Sequence, residues 1–132
     1  MQILIYNLGI KAYTLVAVLM SFFNKKARQF INGRKHIYKN IPSSWNEDQR
    51  AIAHFHAASL GEFEQAKPVL EAFKKHYPSY KILLTFFSPS GYEIKKNYSE
   101  ADYICYLPFD NKRACQKFVT TFNPQISFFC KI

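Results

Sequence analysis

The chain has 132 residues, enough for one compact domain with its own hydrophobic core. Apolar residues make up 48% and charged residues 20%, a balance that excludes an intrinsically disordered tail. The net charge of +9 indicates an anionic partner: nucleic acid, anionic lipid headgroups or a phosphorylated substrate. The three cysteines show no paired spacing, which argues against a disulfide framework and favours a reducing compartment.

The first element in chain order is an apolar segment at 3–23, and its stretch from Ala12 to Phe23 carries no charge. That stretch is shorter than the roughly 20 residues needed to span hydrocarbon. If the helix also includes Lys11 and the apolar residues before it, with the Lys11 ammonium group reaching the membrane interface, it attains the length needed to span. The segment therefore predicts a helix that spans the membrane or lies in one leaflet. A secretory signal peptide fits poorly, because no early positive charge and no small-residue cleavage site precede the basic residues.

A basic flank follows the apolar segment and consists of Lys25, Lys26, Arg28, Arg34, Lys35 and Lys39. By the positive-inside rule, this flank places the rest of the chain on the cytoplasmic side. We predict that residues 1–40 form a membrane-associating helical segment; the alternative is a buried helix with a solvated basic face beyond it. No helix-turn-helix, zinc-finger or RNP-type motif is recognisable, so nucleic acid is not an expected partner.

Residues 41–132 alternate between strand and helix patterns. Apolar runs predict strands at 51–56, 81–87, 103–107 and 125–131. Helices are predicted after Gly61 up to His76, after Gly91 through Tyr98, and at 111–122. Strands separated by helices of this length imply a parallel sheet with right-handed crossovers. The sequence thus predicts an α/β fold with a Rossmann-like parallel sheet.

Two loops of small residues are predicted at the carboxyl ends of the first two strands, at 56–62 and 87–91. Ligands bind at this edge of such sheets, and a helix start favours anions. The signal is weak by itself, because serine and glycine often only cap a helix. Neither loop matches a dinucleotide-binding or Walker-type motif.

The string Phe-His-Ala-Ala-Ser-Leu-Gly-Glu at 55–62 is similar to the H-x-A-S-x-G-E motif of the 3-deoxy-D-manno-octulosonic acid (Kdo) transferases. The string Leu-Thr-Phe-Phe-Ser-Pro-Ser-Gly-Tyr-Glu at 84–93 is similar to the next motif of that family. Shorter matches follow in the family's order at 101–103, 106–110 and 123–124, and the segment 32–35 fits as well. The chain therefore resembles the lipid A-specific Kdo transferases over essentially its whole length.

The resemblance implies the amino-terminal half of a GT-B glycosyltransferase, with two Rossmann-like domains facing across a cleft. It implies an inverting, metal-independent reaction without a cofactor, which transfers Kdo from CMP-Kdo to a lipid A precursor (lipid IVA). The reaction belongs to lipopolysaccharide core biosynthesis at the cytoplasmic face of the inner membrane. By this resemblance Glu62 is the catalytic general base, which takes a proton from the acceptor hydroxyl.

The other candidate site residues are expected to bind the acceptor or shape the loops: His56, Ser59, Gly61, Ser88, Ser90 and Gly91. Without the resemblance, Glu62 would be interpreted as a first-turn acid that complements the helix dipole. His56 is expected to support its loop by hydrogen bonding. His54 lies on the same strand face, but two histidines do not make a metal site, and no metal ligand is predicted.

The chain departs from the family pattern at its end, where family members continue into a second domain that binds CMP-Kdo. We therefore expect the donor contacts to lie in a carboxyl-terminal domain absent from this chain. The isolated polypeptide is expected to have little or no transferase activity, because one half cannot hold both substrates. Two alternatives stay open: a non-catalytic membrane-docking α/β domain and a flavodoxin-like binding module.

Overall fold

A computed structural model describes residues 1–131 of the chain. The helices are α1 (Gln2–Ser21), α2 (Lys25–Lys35), α3 (Ser43–Glu47), α4 (Leu60–His76), α5 (Pro89–Lys95) and α6 (Lys112–Phe122). The strands are β1 (Ala51–Ala57), β2 (Tyr80–Phe86), β3 (Tyr103–Tyr106) and β4 (Ile126–Cys130). All four predicted strands are thus present, with ends within one or two residues of the prediction.

The four strands form one sheet in the order β3-β2-β1-β4, and every neighbouring pair is parallel. This confirms the predicted α/β fold with a Rossmann-like parallel sheet. The chain runs outward from β1 to β2 and β3, then returns to place β4 on the other side of β1. The strand order therefore reverses at β1. Open α/β sheets bind their ligands at the carboxyl ends of the strands beside such a reversal.

Strand alternation buries apolar side chains on both faces of the sheet. One core cluster packs α4 against the sheet through Phe55, Phe63, Leu70, Leu84 and Phe86. The cluster on the opposite face joins α3 and α6 to the sheet through Trp45, Leu83, Tyr103, Phe118 and Phe122. Helices therefore pack against β1 and β2 on both faces of the sheet.

The helix predicted through Tyr98 is shorter than expected, since α5 ends at Lys95. The reason is the position of Tyr98. Its ring packs edge-on against Phe63 at 5.1 Å between centroids, and its hydroxyl donates to Glu71 Oε1 at 2.8 Å. Contact with α4 thus turns the chain away from the helix axis.

Helix α1 has no buried residue, so it is not the buried core helix considered as the alternative from sequence. Its most apolar window has a mean hydropathy of 1.8, and by length and composition the helix is sufficient to cross a membrane. An amino-terminal signal sequence has the same properties. Half-buried residues Ile10, Thr14 and Ala17 lie on one side of α1, and the Tyr6 hydroxyl donates to Asp110. The other faces leave apolar side chains exposed.

Helix α2 differs from α1 because it packs on the domain. Asn24 caps its amino terminus, accepting from the Lys26 N–H at 2.8 Å. Phe30 and Ile31 are buried, and Gly33 lies so close to Tyr106 that an added Cβ would be 2.1 Å from Cε2 of that ring. The four lysines and Arg28 in and after α2 differ from Arg34 in their exposure.

Of the six residues of the predicted basic flank, five are exposed and Arg34 is buried. Its guanidinium donates to the carbonyl of Phe30 at 3.0 Å and to that of Phe87 at 2.8 Å. It also lies 3.8 Å from the centroid of the Phe30 ring. Helical spacing explains the placement, since Phe30 is four residues earlier and shares the buried face of α2.

Candidate functional site

The parallel pairing of β1 with β2 brings the two predicted loops together. Ala57 at the end of β1 is in register with Phe86 at the end of β2. Beyond the strands, the N–H of Ser88 donates to the carbonyl oxygen of Ala58 at 2.8 Å. The β1–α4 loop and the β2–α5 loop therefore form one continuous surface at the carboxyl edge of the sheet.

The β1–α4 loop ends in a capping box at the start of α4. The Ser59 side chain accepts from the Glu62 N–H at 3.5 Å, and Glu62 Oε2 accepts from the Ser59 N–H at 3.1 Å. Glu62 is half-buried, and within residues 1–131 its Oε1 accepts no hydrogen bond. The capping box thus fixes the carboxylate at the junction of loop and helix and leaves one oxygen free.

The two glycines among the predicted site residues have different surroundings. A Cβ added at Gly91 would lie 2.3 Å from Phe86 Cδ1, so this glycine lets α5 pack closely on the end of β2. A Cβ added at Gly61 would meet no atom within 4 Å. Gly91 therefore shapes its loop, whereas the packing of this chain does not require a glycine at Gly61.

The β2–α5 loop carries a pair of serine hydroxyls. Ser88 Oγ and Ser90 Oγ are 2.7 Å apart, Ser88 is half-buried and Ser90 is exposed. Pro89 occupies the first turn of α5, where its missing N–H leaves no donor unpaired. The hydroxyl pair is therefore at the surface beside the Ala58–Ser88 junction.

His56 points to the opposite face of β1 from Phe55 and contacts β2. Its Nδ1 lies 2.8 Å from Thr85 Oγ1, and His54 Nε2 lies 2.8 Å from the same oxygen. His56 thus bonds to a residue of the neighbouring strand, and the loop support expected from sequence stays a prediction. Burial lowers the pKa of His56, whereas the nearby charge of Glu62 raises it.

Arg34 and Thr85 are the two neighbours that sequence analysis missed. Arg34 binds the Phe87 carbonyl, immediately before Ser88, and its charge lowers the pKa of His56. Burial lowers the pKa of Arg34 itself to about 10, so this residue remains a cation at neutral pH. Thr85 could have been found from sequence, because it is a polar residue inside the apolar run of β2.

A cavity of about 210 Å³ lies between α4 and β4, beside this edge of the sheet. His56, Gln65, Val69 and Phe129 are among its lining residues. Glu62 and the two loop serines lie outside it. The structure therefore places His56 in a cavity wall and buries Gly91 against Phe86, while Ser59, Gly61, Glu62, Ser88 and Ser90 lie on the adjoining loop surface.

Comparison with known proteins identifies the family. The sequence model described as 3-deoxy-D-manno-octulosonic-acid transferase (kdotransferase) matches residues 16–132. A 3-deoxy-D-manno-octulosonic acid transferase of Haemophilus influenzae is 32% identical over 72 residues, which are 54% of this chain and 17% of that protein. The protein of the same name from Aquifex aeolicus is 37% identical over 71 residues, 53% of this chain and 19% of that protein. The matched region thus spans less than a fifth of either relative, and the family match covers most of this chain. The chain belongs to the Kdo transferase family.

Proposed function

We propose that this chain forms the amino-terminal, acceptor-side half of a GT-B glycosyltransferase that transfers Kdo from CMP-Kdo to lipid IVA in lipopolysaccharide core biosynthesis. The observation that carries the proposal is the joining of the two family motifs at one edge of the sheet. The Ala58–Ser88 hydrogen bond connects their loops, and the capping box fixes Glu62 at the start of α4. Family membership supplies the reaction class.

Glu62 is the general base of this proposal. Its free Oε1 accepts the proton of the acceptor hydroxyl while that oxygen bonds to the anomeric carbon of Kdo. The bond from the anomeric carbon to the CMP phosphate breaks, and CMP leaves with the electron pair. Attack opposite to the leaving group inverts the anomeric centre. No residue of this scheme requires a metal ion or a cofactor.

The remaining loop residues bind or orient the acceptor. The hydroxyls of Ser88 and Ser90 are a donor and acceptor pair suited to phosphate or hydroxyl groups of the lipid headgroup. Ser59 holds Glu62, and Gly61 leaves open space beside it. His56 lies at the end of β1, directly before the loop, and its hydrogen bond to Thr85 of β2 holds that end of the strand. The proposal assigns the contacts to CMP-Kdo to the second domain of the GT-B fold.

The membrane is the second partner in the proposal. Residues 1–40 are its membrane-associating segment, and residues 41–132 form the acceptor-side domain. Helix α1 exposes Leu4, Leu8 and Leu15, each at 60% or more. Exposed cations follow it at Lys25, Lys26 and Arg28, and such residues gain about 1 kcal/mol each near anionic lipid. This arrangement supports attachment at the cytoplasmic face of the inner membrane, where a lipid acceptor is held.

A chimera tests the catalytic role of Glu62. Residues 1–131 replace the corresponding segment of the Haemophilus influenzae relative, and transfer of Kdo to lipid IVA is followed with CMP-Kdo as donor. Glu62→Gln keeps a side-chain oxygen for the capping box, because glutamine also serves at that position. We expect the substitution to lower kcat by about 10²–10⁴-fold, the usual contribution of a general base.

Glu64→Gln is the matched control, since Glu64 is an exposed carboxylate of the same helix paired with Lys95 at 2.8 Å. We expect this variant to transfer Kdo at the rate of the unsubstituted chimera. Equal kcat values for the Glu62→Gln variant and the unsubstituted chimera would refute the base role and favour the non-catalytic membrane-docking domain.

A further inference from the structure

A chain of hydrogen bonds crosses three strands beneath His56, and the proposed transfer step does not use it. Ser127 Oγ of β4 lies 3.2 Å from His54 Nδ1 of β1. His54 Nε2 lies 2.8 Å from Thr85 Oγ1 of β2, and the same oxygen lies 2.8 Å from His56 Nδ1. One threonine hydroxyl thus connects two imidazole rings.

The two residues in the middle of this hydrogen-bond chain, His54 and Thr85, are buried. Thr85 is 0% exposed and His54 is 2% exposed. The His54 ring is enclosed by Phe118 and Phe129, at 5.5 and 5.8 Å between ring centroids. A buried donor or acceptor without a partner destabilises the fold. The hydrogens on Thr85 and on the two imidazole nitrogens that face it therefore need defined positions.

Counting hydrogens leaves two arrangements in which Thr85 and both facing nitrogens are satisfied. In the first, His54 Nε2–H donates to Thr85, and the Thr85 hydroxyl donates to His56 Nδ1. In the second, the hydroxyl donates to His54 Nε2, and His56 Nδ1–H donates to Thr85. Within residues 1–131 Thr85 Oγ1 has only these two partners, so any other arrangement leaves a buried polar group unpaired. In either arrangement the two rings carry their hydrogen at the same ring position, both on Nε2 or both on Nδ1.

We propose that His54 is a positioning residue which, through Thr85, sets the tautomer that His56 presents at the carboxyl edge of the sheet. In the first arrangement the outer nitrogen of His56, Nε2, is a hydrogen-bond donor, and in the second it is an acceptor. The role of this tautomer in sugar transfer rests on the proposed function, because the hydrogen-bond partner of His56 Nε2 would be the lipid substrate or Glu62. The tautomer coupling itself depends only on the fold.

The charges around the pair allow the coupling at neutral pH. Burial lowers the pKa of His54 to about 4, so this ring is neutral and carries one hydrogen. Burial lowers the pKa of His56; the carboxylate of Glu62 and the hydrogen bond with Thr85 raise it, the guanidinium of Arg34 lowers it, and the net shift is downward. The two hydrogen arrangements require that both imidazole rings are neutral and share the Thr85 hydroxyl, and this condition is met.

Nitrogen-15 NMR of the ring nitrogens tests the proposal without any transfer assay. The 132-residue chain is labelled at histidine and studied in detergent micelles at pH 7, with His54→Phe and His56→Phe used for assignment. Long-range proton–nitrogen correlations report which nitrogen of each neutral ring carries the hydrogen. We expect the same tautomer in both rings, either Nε2–H or Nδ1–H. Opposite tautomers in the unsubstituted chain would overturn the proposal.

Variants then test whether the coupling between the His54 and His56 tautomers depends on the Thr85 hydroxyl. Thr85→Val removes the shared hydroxyl, and His54→Phe removes the second ring; each should shift the His56 Nδ1 resonance. Thr85→Ser keeps the hydroxyl and should restore the original position. His76→Gln is the matched control, because within residues 1–131 the His76 ring bonds only the carbonyl of Ala72 in its own helix. This variant should leave the His56 signal unchanged.

An unchanged His56 resonance in both Thr85→Val and His54→Phe would also overturn the coupling. The tautomer comparison in the unsubstituted chain needs no variant, so a substitution that prevents folding leaves the proposal testable. Failure of this experiment would not affect the role of Glu62, and failure of the Glu62→Gln test would not affect the coupling.

Discussion

The carboxylate of Glu62 can cap helix α4 and can act as a general base, and the two functions use different oxygens. Oε2 accepts the Ser59 N–H and completes the capping box, whereas Oε1 has no donor within residues 1–131. The helix-capping interpretation and the catalytic interpretation are therefore compatible, because each uses a different oxygen. This division is why glutamine, which keeps one oxygen and loses the charge, is the informative substitution.

The buried state of His54 predicts a pH dependence of stability. Its pKa is about 4 in the folded chain, because burial disfavours the charged ring, against 6.5 for an exposed histidine. Between pH 6.5 and 4 the unfolded chain binds more protons at this residue, so the free energy of unfolding falls as the pH falls. The shift corresponds to roughly 3 kcal/mol, fully present above pH 6.5 and lost by about pH 4.

Urea unfolding of the chain and of its His54→Phe variant at pH 7, 5.5 and 4 measures this effect. The variant should lose less stability than the unsubstituted chain over this range. Equal losses in the two proteins would show that His54 is not the group responsible.

At the scale of single residues, the sequence predicted site residues through two motifs but did not single out Thr85 or Arg34 as their neighbours. A motif is a local string, and both missed residues act through contacts between elements distant in sequence. Arg34 was assigned to the basic flank because it follows the apolar segment among other lysines and arginines, yet its position on α2 directs its guanidinium to the Phe87 carbonyl. Burial of a charge cannot be deduced from composition.

Among the elements, α2 depends on close contact between its backbone and the Tyr106 ring. Because a Cβ at Gly33 would lie 2.1 Å from Tyr106 Cε2, Gly33→Ala should destabilise the fold by about 1–3 kcal/mol through overpacking. Gly61→Ala is the control, since its Cβ would meet nothing and alanine favours helices. Urea unfolding should give a lower stability for the first variant and an equal or higher stability for the second. A Gly33→Ala variant as stable as the unsubstituted chain would contradict the packing described for α2.

The exposed apolar faces of α1 predict membrane attachment through this helix. Leu8→Lys with Leu15→Lys places two charges on residues that are 67% and 60% exposed. Each lysine at the centre of a spanning helix costs about 3 kcal/mol. We expect flotation with phosphatidylglycerol-containing vesicles to show at least a tenfold loss of bound protein.

Val69→Lys with Ile94→Lys makes the same change at exposed apolar residues of α4 and α5, and vesicle binding should persist. Equal binding of the α1 variant and the unsubstituted chain would exclude α1 as the attachment element.

Element types and order were predictable because strand and helix periods differ along 51–130. The end of α5 was not, since the tertiary contact of Tyr98 with Phe63 and Glu71 overrides the local helix pattern. The packing of α2 was also missed, because its charged residues obscure the buried face formed by Phe30 and Ile31.

For the whole molecule, the sequence predicted a parallel sheet but not the strand order. Local patterns cannot show that β4 pairs with β1 rather than β3. That pairing creates the reversal of strand order beside the β1–α4 loop. It also aligns Ser127 with His54 and so completes the hydrogen-bond chain beneath the site.

The central claim is that the β1–α4 and β2–α5 loops together face the lipid acceptor. Amide chemical shifts of the nitrogen-15-labelled chain in detergent micelles test it most directly, with lipid IVA added as ligand and phosphatidylglycerol added in parallel as a non-acceptor anionic lipid. Lipid IVA should shift the amides at 59–62 and at 88 and 90–91, where phosphatidylglycerol should not. Shifts at these residues no larger with lipid IVA than with phosphatidylglycerol would contradict the account.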